Sequence, residues 1–305
     1  MQLADLVRRI EFGLEYAMLR LIAGVVRLMP LDVATRLSAK CWRVLAPHLS
    51  AKRHQRALDN LRIAFPHMRE EERRAIRAAH WENLGRVMVE TIHIDRLAHD
   101  ATRFEVMNRA LLARYGSKLG AAIGVSLHMG NWEFAIWPFV AACANPAALY
   151  RSVNNPHVDR YLRQKRRSLY PGGMFARGKV EGDHGDDHRT ARAVTDFVRR
   201  GGRLGIVCDQ HYGRGIPVPF FGRDARPQPI AAIIARRVGA RLWMARCVRI
   251  GTESRFRIEI KELRVPRSAN AAADIRATLA GMMRQFESWV RETPEQWMWS
   301  NRIWH

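Results

Sequence analysis

Apolar side chains recur every three or four residues along the first part of the chain, which is the period of an α-helix. The clearest case is residues 2–28, where arginines stand off one apolar stripe. The stripe consists of Leu3, Leu6, Val7, Ile10, Leu14, Met18, Leu21, Ile22, Val25 and Val26. Two interpretations of this amphipathic helix stay open. It packs on the rest of the protein, or it lies in a membrane interface with its arginines facing lipid phosphates.

Further helices are predicted over the rest of the first third of the chain. They span residues 31 to about 45, 51–62 and 70 to about 91. Glutamates occupy positions 70–72, the first turn of the last of these helices, where they complement the helix dipole. We therefore divide the sequence into an amphipathic N-terminal helix, a helical leader and a core within one continuous globular domain. These regions are residues 1–30, 31–115 and 116–305.

The pattern changes near residue 121, where a short apolar run enters a turn, as is typical of a buried strand. Strands are predicted at 121–127, 147–150, 204–208, 242–250 and 256–260, and the last alternates with charged residues like an edge strand. Helices are predicted near 133–142, 156–169, 189–200, 229–238 and 274–292. This alternation predicts an α/β fold with a mixed, largely parallel sheet flanked by helices, behind the all-helical N-terminal region.

The charge of the chain points to an anionic partner. Among 305 residues, 51 Lys and Arg face 29 Asp and Glu, which gives a formal net charge of +22. Such an excess indicates nucleic acid, anionic lipid or an acidic protein as the partner. A hydrophobic fraction of 48% is sufficient for a substantial core. We expect neither a secretory signal peptide nor a membrane-spanning helix, because no apolar run has the required pattern.

The cysteines do not suggest a metal site or a disulfide framework. They are Cys41, Cys143, Cys208 and Cys247. They are far apart and form no CxxC pair, so we predict four buried free thiols, which fits a reducing, cytosolic setting.

The main chemical signal is the run from His128 to Glu133, HMGNWE. The predicted strand delivers His128 to its carboxyl end, where ligands bind in open α/β sheets, and Gly130 and Asn131 permit a tight turn. A carboxylate five positions after the histidine can accept the imidazole Nδ1–H, which leaves Nε2 to take a proton from an alcohol. The run thus predicts a histidine–carboxylate dyad. The alternative is a structural histidine at a strand end, whose hydrogen bonds are made within the fold.

Five blocks in a fixed order carry a resemblance to a known family. They are HMGNWE at 128–133, YRSVNNP at 150–156, VCDQ at 207–210, VPFFG at 218–222 and PEQWMW at 294–299. Together they resemble the lipid A biosynthesis acyltransferase family, the late lauroyl and myristoyl transferases. The upstream run DNLRIAFP at 59–66 is similar to the helical leader of that family.

The resemblance implies catalytic roles for four side chains. His128 matches the catalytic histidine, Glu133 its partner in a His-x4-acid motif, and Asp209 a further acidic residue. Arg166 is the best match for an active-site arginine, although Lys165 and Arg167 are alternatives in the register. Substrate contacts are implied for a second set, in which Arg151 is a candidate phosphate contact. This set is Asn131, Arg151, Asn155, Arg192, Gln210 and Phe221.

The resemblance also implies the reaction. A fatty acyl chain passes from an acyl carrier protein thioester to a hydroxyl of a lipid A precursor, at the cytoplasmic face of the inner membrane. His128 is the general base, and no metal, cofactor or covalent enzyme intermediate is needed. An acidic carrier protein and a phosphorylated lipid both explain the cationic charge, and the amphipathic helix then favours the membrane interface. Unusual loops at 172–187 and 226–229 leave chain length and acceptor open.

Three alternatives remain at this level. The same dyad serves acyltransferases with other acceptors, such as a phosphatidylinositol mannoside, an ornithine lipid or a lysophospholipid. A nucleic-acid-binding protein fits the charge, but no helix-turn-helix, RNP, zinc or KH signature is present. A metal-dependent hydrolase would use the polar loop EGDHGDDH at 181–188, with Asp183, His184, Asp186, Asp187 and His188 as ligands, but this loop has two glycines and no apolar face.

Overall fold

The computed structural model describes residues 3–113, 120–142, 144–177 and 187–304. Its N-terminal part is helical, as predicted. The helices are α1 (Leu3–Leu28), α2 (Leu31–Leu49), α3 (Ala51–Ala64), α4 (Glu70–Ile92) and the short α5 (Ile94–Leu97). As expected, α4 begins at Glu70, and Glu70, Glu71 and Glu72 lie in its first turn, where they complement the helix dipole.

A seven-stranded sheet forms the centre of the rest of the chain. Its strands in chain order are β1 (Phe104–Val106), β2 (Ala122–Gly130), β3 (Ala147–Arg151), β4 (Met174–Arg177), β5 (Arg203–Val207), β8 (Arg241–Arg249) and β9 (Phe256–Leu263), while β6 (Val218–Phe220) and β7 (Arg223–Ala225) form a separate hairpin. The spatial order is β1-β9-β8-β2-β5-β3-β4, and only β8 and β9 run antiparallel. The predicted α/β fold with a largely parallel sheet is confirmed.

Helices cover both faces of this sheet. They are α6 (Arg109–Ala113), α7 (Trp137–Ala141), α8 (Pro156–Arg166), α9 (Asp187–Arg199), α10 (Ile230–Val238) and α11 (Ala271–Glu292). Alternate residues of β8 face opposite sides: Leu242 and Met244 join the core beneath α10 and α11, whereas Trp243 and Ala245 join the core around Phe134. The sheet is therefore buried on both faces, which explains the continuous apolar runs of its strands.

Two sequence expectations about the sheet and its helices are wrong. The strand at 256–260 was expected at an edge, but β9 lies between β1 and β8. Because the three-residue β1 is too short for a periodic pattern, the strand that pairs with β9 on its outer side could not be predicted. The helix expected near 133–142 is divided, because a 3₁₀ turn at Trp132–Ile136 precedes α7.

The apolar stripe of α1 faces outwards. Eight of its members, Leu6, Val7, Ile10, Leu14, Met18, Leu21, Ile22 and Val25, are between 43% and 70% exposed. The helix packs on the protein by another face, where Ala23 lies with Ile92 and Tyr161. The helix therefore packs on the domain, as one of the two interpretations has it, but most of the predicted stripe takes no part in this packing. Within the described residues, none of the helices combines the length and the apolar character that a transmembrane segment needs.

The thiols agree only in part with their prediction. Cys208 and Cys247 are buried and free, but Cys41 is exposed on α2 because it lies on the outer face of that helix. Cys143 lies outside the described residues, as do Asp183, His184 and Asp186 of the alternative metal site.

Candidate active site

A tight turn after β2 forms the base of the candidate site. Gly130 has φ +56°, and a Cβ at this position would lie 1.9 Å from the carbonyl oxygen of Cys247, so only glycine fits. The backbone N–H of Asn131 donates to the same carbonyl at 3.0 Å. The Asn131 side chain then accepts from the backbone N–H of Glu133 at 3.2 Å and so begins the 3₁₀ turn.

His128 stands near the end of β2, and its carboxylate partner is Asp209. The imidazole Nδ1 lies 2.6 Å from Asp209 Oδ1, and the His128 backbone N–H donates to Oδ2 at 3.0 Å. The two side chains meet because β5, which precedes Asp209, pairs in parallel with β2. The prediction that Glu133 accepts the Nδ1–H is wrong in this structure, since the Asp209 carboxylate occupies that place.

Asp209 is held as an ionised acceptor. Its carboxylate is almost fully buried and receives a third hydrogen bond, from Trp297 Nε1 at 2.7 Å. Burial on its own would raise the pKa of Asp209, but the charge and hydrogen bonds of His128, with the Trp297 bond, outweigh it and lower the pKa. Trp297 lies in the PEQWMW block, but nothing in that block predicts its hydrogen bond to Asp209.

The imidazole keeps its Nε2 towards open space. Gln210 Nε2 is 3.1 Å from both ring nitrogens, so it lies over the ring face, because an in-plane atom at that range would overlap the carbon between them. The Trp132 ring packs edge-on at 5.2 Å between centroids. Among the described residues, His128 Nε2 has no in-plane hydrogen-bond partner, and this arrangement suits a proton acceptor.

Glu133 pairs with Arg166 instead of His128. Arg166 Nε donates to Glu133 Oε2 at 2.8 Å, and Nη2 donates to Oε1. Burial opposes the charge of Arg166, but the adjoining Glu133 carboxylate outweighs it and raises the pKa of the guanidinium. The sequence left Lys165, Arg166 and Arg167 as candidates for the active-site cation. Arg166 lines the site, whereas Lys165 contacts Asp95 on another side of α8.

A cavity of about 580 Å³ joins these groups. One part is polar, with His128, Glu133 and Arg166 in its lining. Six further lining residues are apolar and belong to β3, β4 and β5: Ala148, Leu149, Met174, Gly205, Ile206 and Val207. The rest of the lining is mixed and includes Tyr150, Tyr170 and Tyr212. A cavity with polar groups and one apolar wall suits a substrate with both a polar reacting group and an apolar tail.

The predicted substrate contacts fall into three groups. Arg151 and Gln210 line the cavity. Asn131 and Asn155 are buried, and their amides cap the 3₁₀ turn and α8, respectively. The other two are outside the cavity lining, because Arg192 is exposed on α9 and Phe221 is buried among aromatic rings.

Several cavity residues were not among the candidates from the sequence, and they include Tyr150, Tyr170, Arg177 and Tyr212. Arg177 is the register partner of Arg151 on the neighbouring strand, and its guanidinium lies 5.0 Å from the Tyr212 ring centroid. Arg177 belongs to the short strand β4, for which no periodic pattern exists. Tyr150, by contrast, stands beside Arg151 in the YRSVNNP block, and this position could have identified it as a site residue.

A buried ion pair supports the turn from behind. Glu90 of α4 is fully buried and accepts from Arg249 Nη2 at 2.8 Å. It also accepts from Asn131 Nδ2 at 2.8 Å, which fixes the amide that caps Glu133. Glu90 thus connects α4 of the helical leader to the turn after β2 through charged hydrogen bonds.

The chain is similar to a known protein family over nearly its whole length. A family model described as bacterial lipid A biosynthesis acyltransferase matches residues 9–305, nearly the whole chain. The comparison with curated proteins gave no match.

Proposed function

The chain belongs to the bacterial lipid A biosynthesis acyltransferase family, and we propose that it transfers a fatty acyl group from an acyl carrier protein thioester to a hydroxyl of a lipid A precursor. The observation that carries the proposal is the contact of His128 Nδ1 with Asp209, which leaves Nε2 beside a cavity with one apolar wall. A general base next to such a cavity suits transfer of an acyl chain to an alcohol.

The proposed reaction proceeds by direct attack. The acceptor hydroxyl gives its proton to His128 Nε2 as its oxygen bonds to the thioester carbonyl carbon. Asp209 accepts the Nδ1–H and stabilises the imidazolium that forms. Collapse of the tetrahedral intermediate breaks the carbon–sulfur bond, and the leaving thiolate takes the proton from Nε2. The products are an ester and a free thiol, and His128 is neutral again.

Arg166 is proposed to stabilise the negative oxygen of that intermediate. The guanidinium lines the same cavity as His128, and two of its nitrogens bind Glu133. Its remaining N–H groups are thereby held in one orientation, which favours electrostatic stabilisation without reorganisation during the reaction. In this proposal Glu133 is a positioning residue for Arg166, and the acidic member of the His-x4-acid motif acts through the arginine.

The acyl carrier protein is proposed as the donor because of the cations near the cavity. Arg151 and Arg177 line it together on adjacent strands, and planar guanidinium groups suit a phosphodiester or a carboxylate. The net charge of +22 favours an acidic carrier over a neutral one.

The enzyme is proposed to work at the cytoplasmic surface of the inner membrane. The outward stripe of α1 would bury its side chains at the boundary of headgroups and acyl chains. On α2, Val33, Leu37, Val44 and Leu45 are also 42–63% exposed and extend the apolar surface. Interfacial rather than spanning attachment is consistent with the length and polarity of these helices.

The proposal is tested by reconstituted transfer and by lipid analysis. Purified protein with acyl carrier protein thioester should acylate a phosphorylated lipid A precursor, and acyl-coenzyme A should be a poor donor. His128→Ala should abolish transfer while the protein stays folded, as judged by circular dichroism. Mass spectrometry of lipid A from a deletion strain should show the loss of one secondary acyl chain. An unchanged lipid A together with a changed phospholipid or ornithine lipid profile would favour the alternative acceptors.

A further inference from the structure

A second cavity lies between α1 and α8, with a volume of about 500 Å³. Its lining includes three cations, Arg20 and Arg27 of α1 and Lys165 of α8, and one acid, Asp95. Three positive charges against one negative charge leave two positive charges uncompensated. The catalytic cavity has different lining residues, and it takes Arg166 from the same helix that contributes Lys165 here.

The cations of this cavity have unused hydrogen-bond donors. Arg27 contacts Asp95 through Nη1 alone, at 3.0 Å, and Lys165 Nζ lies 3.1 Å from the same carboxylate. Arg20 uses only Nη1, which donates to Tyr16 at 3.0 Å. In the part of the chain that the structure describes, Nε and Nη2 of both arginines have no acceptor.

Asp95 orients two of the cations, Arg27 and Lys165, and all three residues line the cavity. Burial would raise the pKa of this carboxyl, but hydrogen bonds from Arg27 and Lys165 lower it to about 2. The acid therefore stays ionised and holds both cations in place. The arrangement is a preformed cluster of donors for an added anion with several oxygens.

The cavity borders the outward stripe of α1. Leu21 follows Arg20 and is 70% exposed, and Leu28 follows Arg27 and is 88% exposed. Cations beside exposed aliphatic side chains match the boundary between lipid phosphates and acyl chains. We propose that this cavity binds the phosphate of an anionic membrane lipid, whose acyl chains lie along the exposed stripe of α1. The inference rests on the membrane-surface placement in the proposed function.

Gly24 gives steric access to this site. It lines the cavity, and a Cβ built there meets no heavy atom within 4 Å. A longer side chain at this position would enter the space without displacing the fold. Gly13 of the same helix is equally open but does not line the cavity, so it provides a matched control.

The test measures binding to vesicles without donor or acceptor, so it is independent of catalysis. Full-length protein is titrated with phosphatidylcholine vesicles that contain or lack phosphatidylglycerol. The charge variant is Arg20→Gln, with Arg9→Gln as its control, because Arg9 is exposed on α1 and does not line the cavity. The steric variant is Gly24→Gln, with Gly13→Gln as its control.

Loss of any basic side chain near an anionic surface weakens binding about fivefold, which corresponds to about 1 kcal/mol. We expect Arg9→Gln to show only this effect, Arg20→Gln to lose about thirtyfold, and Gly24→Gln to lose about tenfold while Gly13→Gln loses nothing. Circular dichroism and melting temperatures should match the wild type. Equal losses in each variant and its control would overturn the proposal.

A second arm separates the two sources of a lipid phosphate. Phosphatidylcholine vesicles that carry only the phosphorylated lipid A precursor present the acceptor phosphate without an anionic phospholipid. Arg20→Gln and Gly24→Gln defects in the phosphatidylglycerol arm assign the site to a bilayer phospholipid. Defects confined to the precursor arm assign it to the acceptor phosphate, and defects in neither arm refute a lipid-phosphate site. If the site is confirmed but acyl transfer fails in reconstitution, only the proposed reaction is refuted.

Discussion

Replacement of Asp209 by asparagine isolates the role of the carboxylate, because the change keeps the shape of the side chain. Asp209 Oδ2 accepts two N–H donors, from the His128 backbone at 3.0 Å and from Trp297 Nε1 at 2.7 Å. Neither donor can become an acceptor, so the amide oxygen must take the Oδ2 position. The amide NH₂ then faces His128 Nδ1, which must accept a hydrogen bond.

The consequence is the wrong tautomer of the base. If Nδ1 accepts, the ring proton of the neutral imidazole sits on Nε2, which then cannot take a proton from the acceptor hydroxyl. The negative charge that stabilises the imidazolium is lost as well. A carboxylate behind a catalytic imidazole contributes up to about ten-thousandfold elsewhere, and general base catalysis about a hundredfold or more, so we expect a loss in kcat of about a thousandfold.

Stability should change much less than activity, because two of the three accepted hydrogen bonds are kept and the third is reversed. The cost is of order 1–2 kcal/mol, typical of a lost charge-assisted contact. The assay is steady-state transfer from acyl carrier protein thioester, with ¹⁵N NMR of the His128 ring as the tautomer readout. Asp274→Asn is the matched control, since Asp274 is a buried carboxylate that pairs with Arg236 outside the cavity. An Asp209→Asn enzyme with more than about a tenth of wild-type kcat, or with its proton still on Nδ1, would refute the reasoning.

Three other changes test separate parts of the structure. Glu133→Ala should lower kcat/KM about a hundredfold because Arg166 loses its buried partner, and Glu133→Gln should recover part of the loss in the same transfer assay. His80, whose pKa is lowered to about 4 by burial, is protonated at higher pH in the unfolded chain than in the native one, so stability falls as pH drops from 6.5 towards 4. Between pH 7 and 4.5, urea unfolding should show a larger loss of stability in the wild type than in His80→Gln, by on the order of 2–3 kcal/mol, and an equal loss in both proteins would contradict this origin. Gly205→Ala places a methyl group 3.4 Å from the Tyr170 ring at the cavity wall and 3.1 Å from Ile136, and it should shift transfer to shorter acyl chains, as read by mass spectrometry of the product; an unchanged chain length in the folded variant would show that this wall does not contact the acyl chain.

The sequence predicted the parts of the site that follow from strand ends. Both His128 and Asp209 come directly at the carboxyl end of an apolar run, and parallel strands bring such ends to one edge. What the runs could not show is that the two strands are neighbours, because spatial order is a tertiary property. The family resemblance included Asp209 without indicating that it would touch the imidazole.

The outward stripe of α1 shows a different limit. The period of apolar residues identified a helix with an apolar face, and this was correct. The same helix has a second set of contacts, through Ala23 and its neighbours, that buries it against Ile92 and Tyr161. The helix packs on the protein by one face and leaves an apolar stripe exposed on another, and periodicity alone cannot tell which of the two faces packs.

Asp209 takes the position next to His128 that was predicted for Glu133, and Glu133 contacts Arg166 instead. This difference has a local cause. Spacing alone allowed Glu133 to fold back on the histidine, and it would do so after a loose turn. Instead, Asn131 accepts from the Glu133 backbone and starts a 3₁₀ turn, which directs this carboxylate to Arg166 of α8. One acid therefore contacts the imidazole, and the other contacts a guanidinium on a different helix. A mutation that loosened the Asn131 cap would be expected to disturb the arginine first and leave the histidine pair intact.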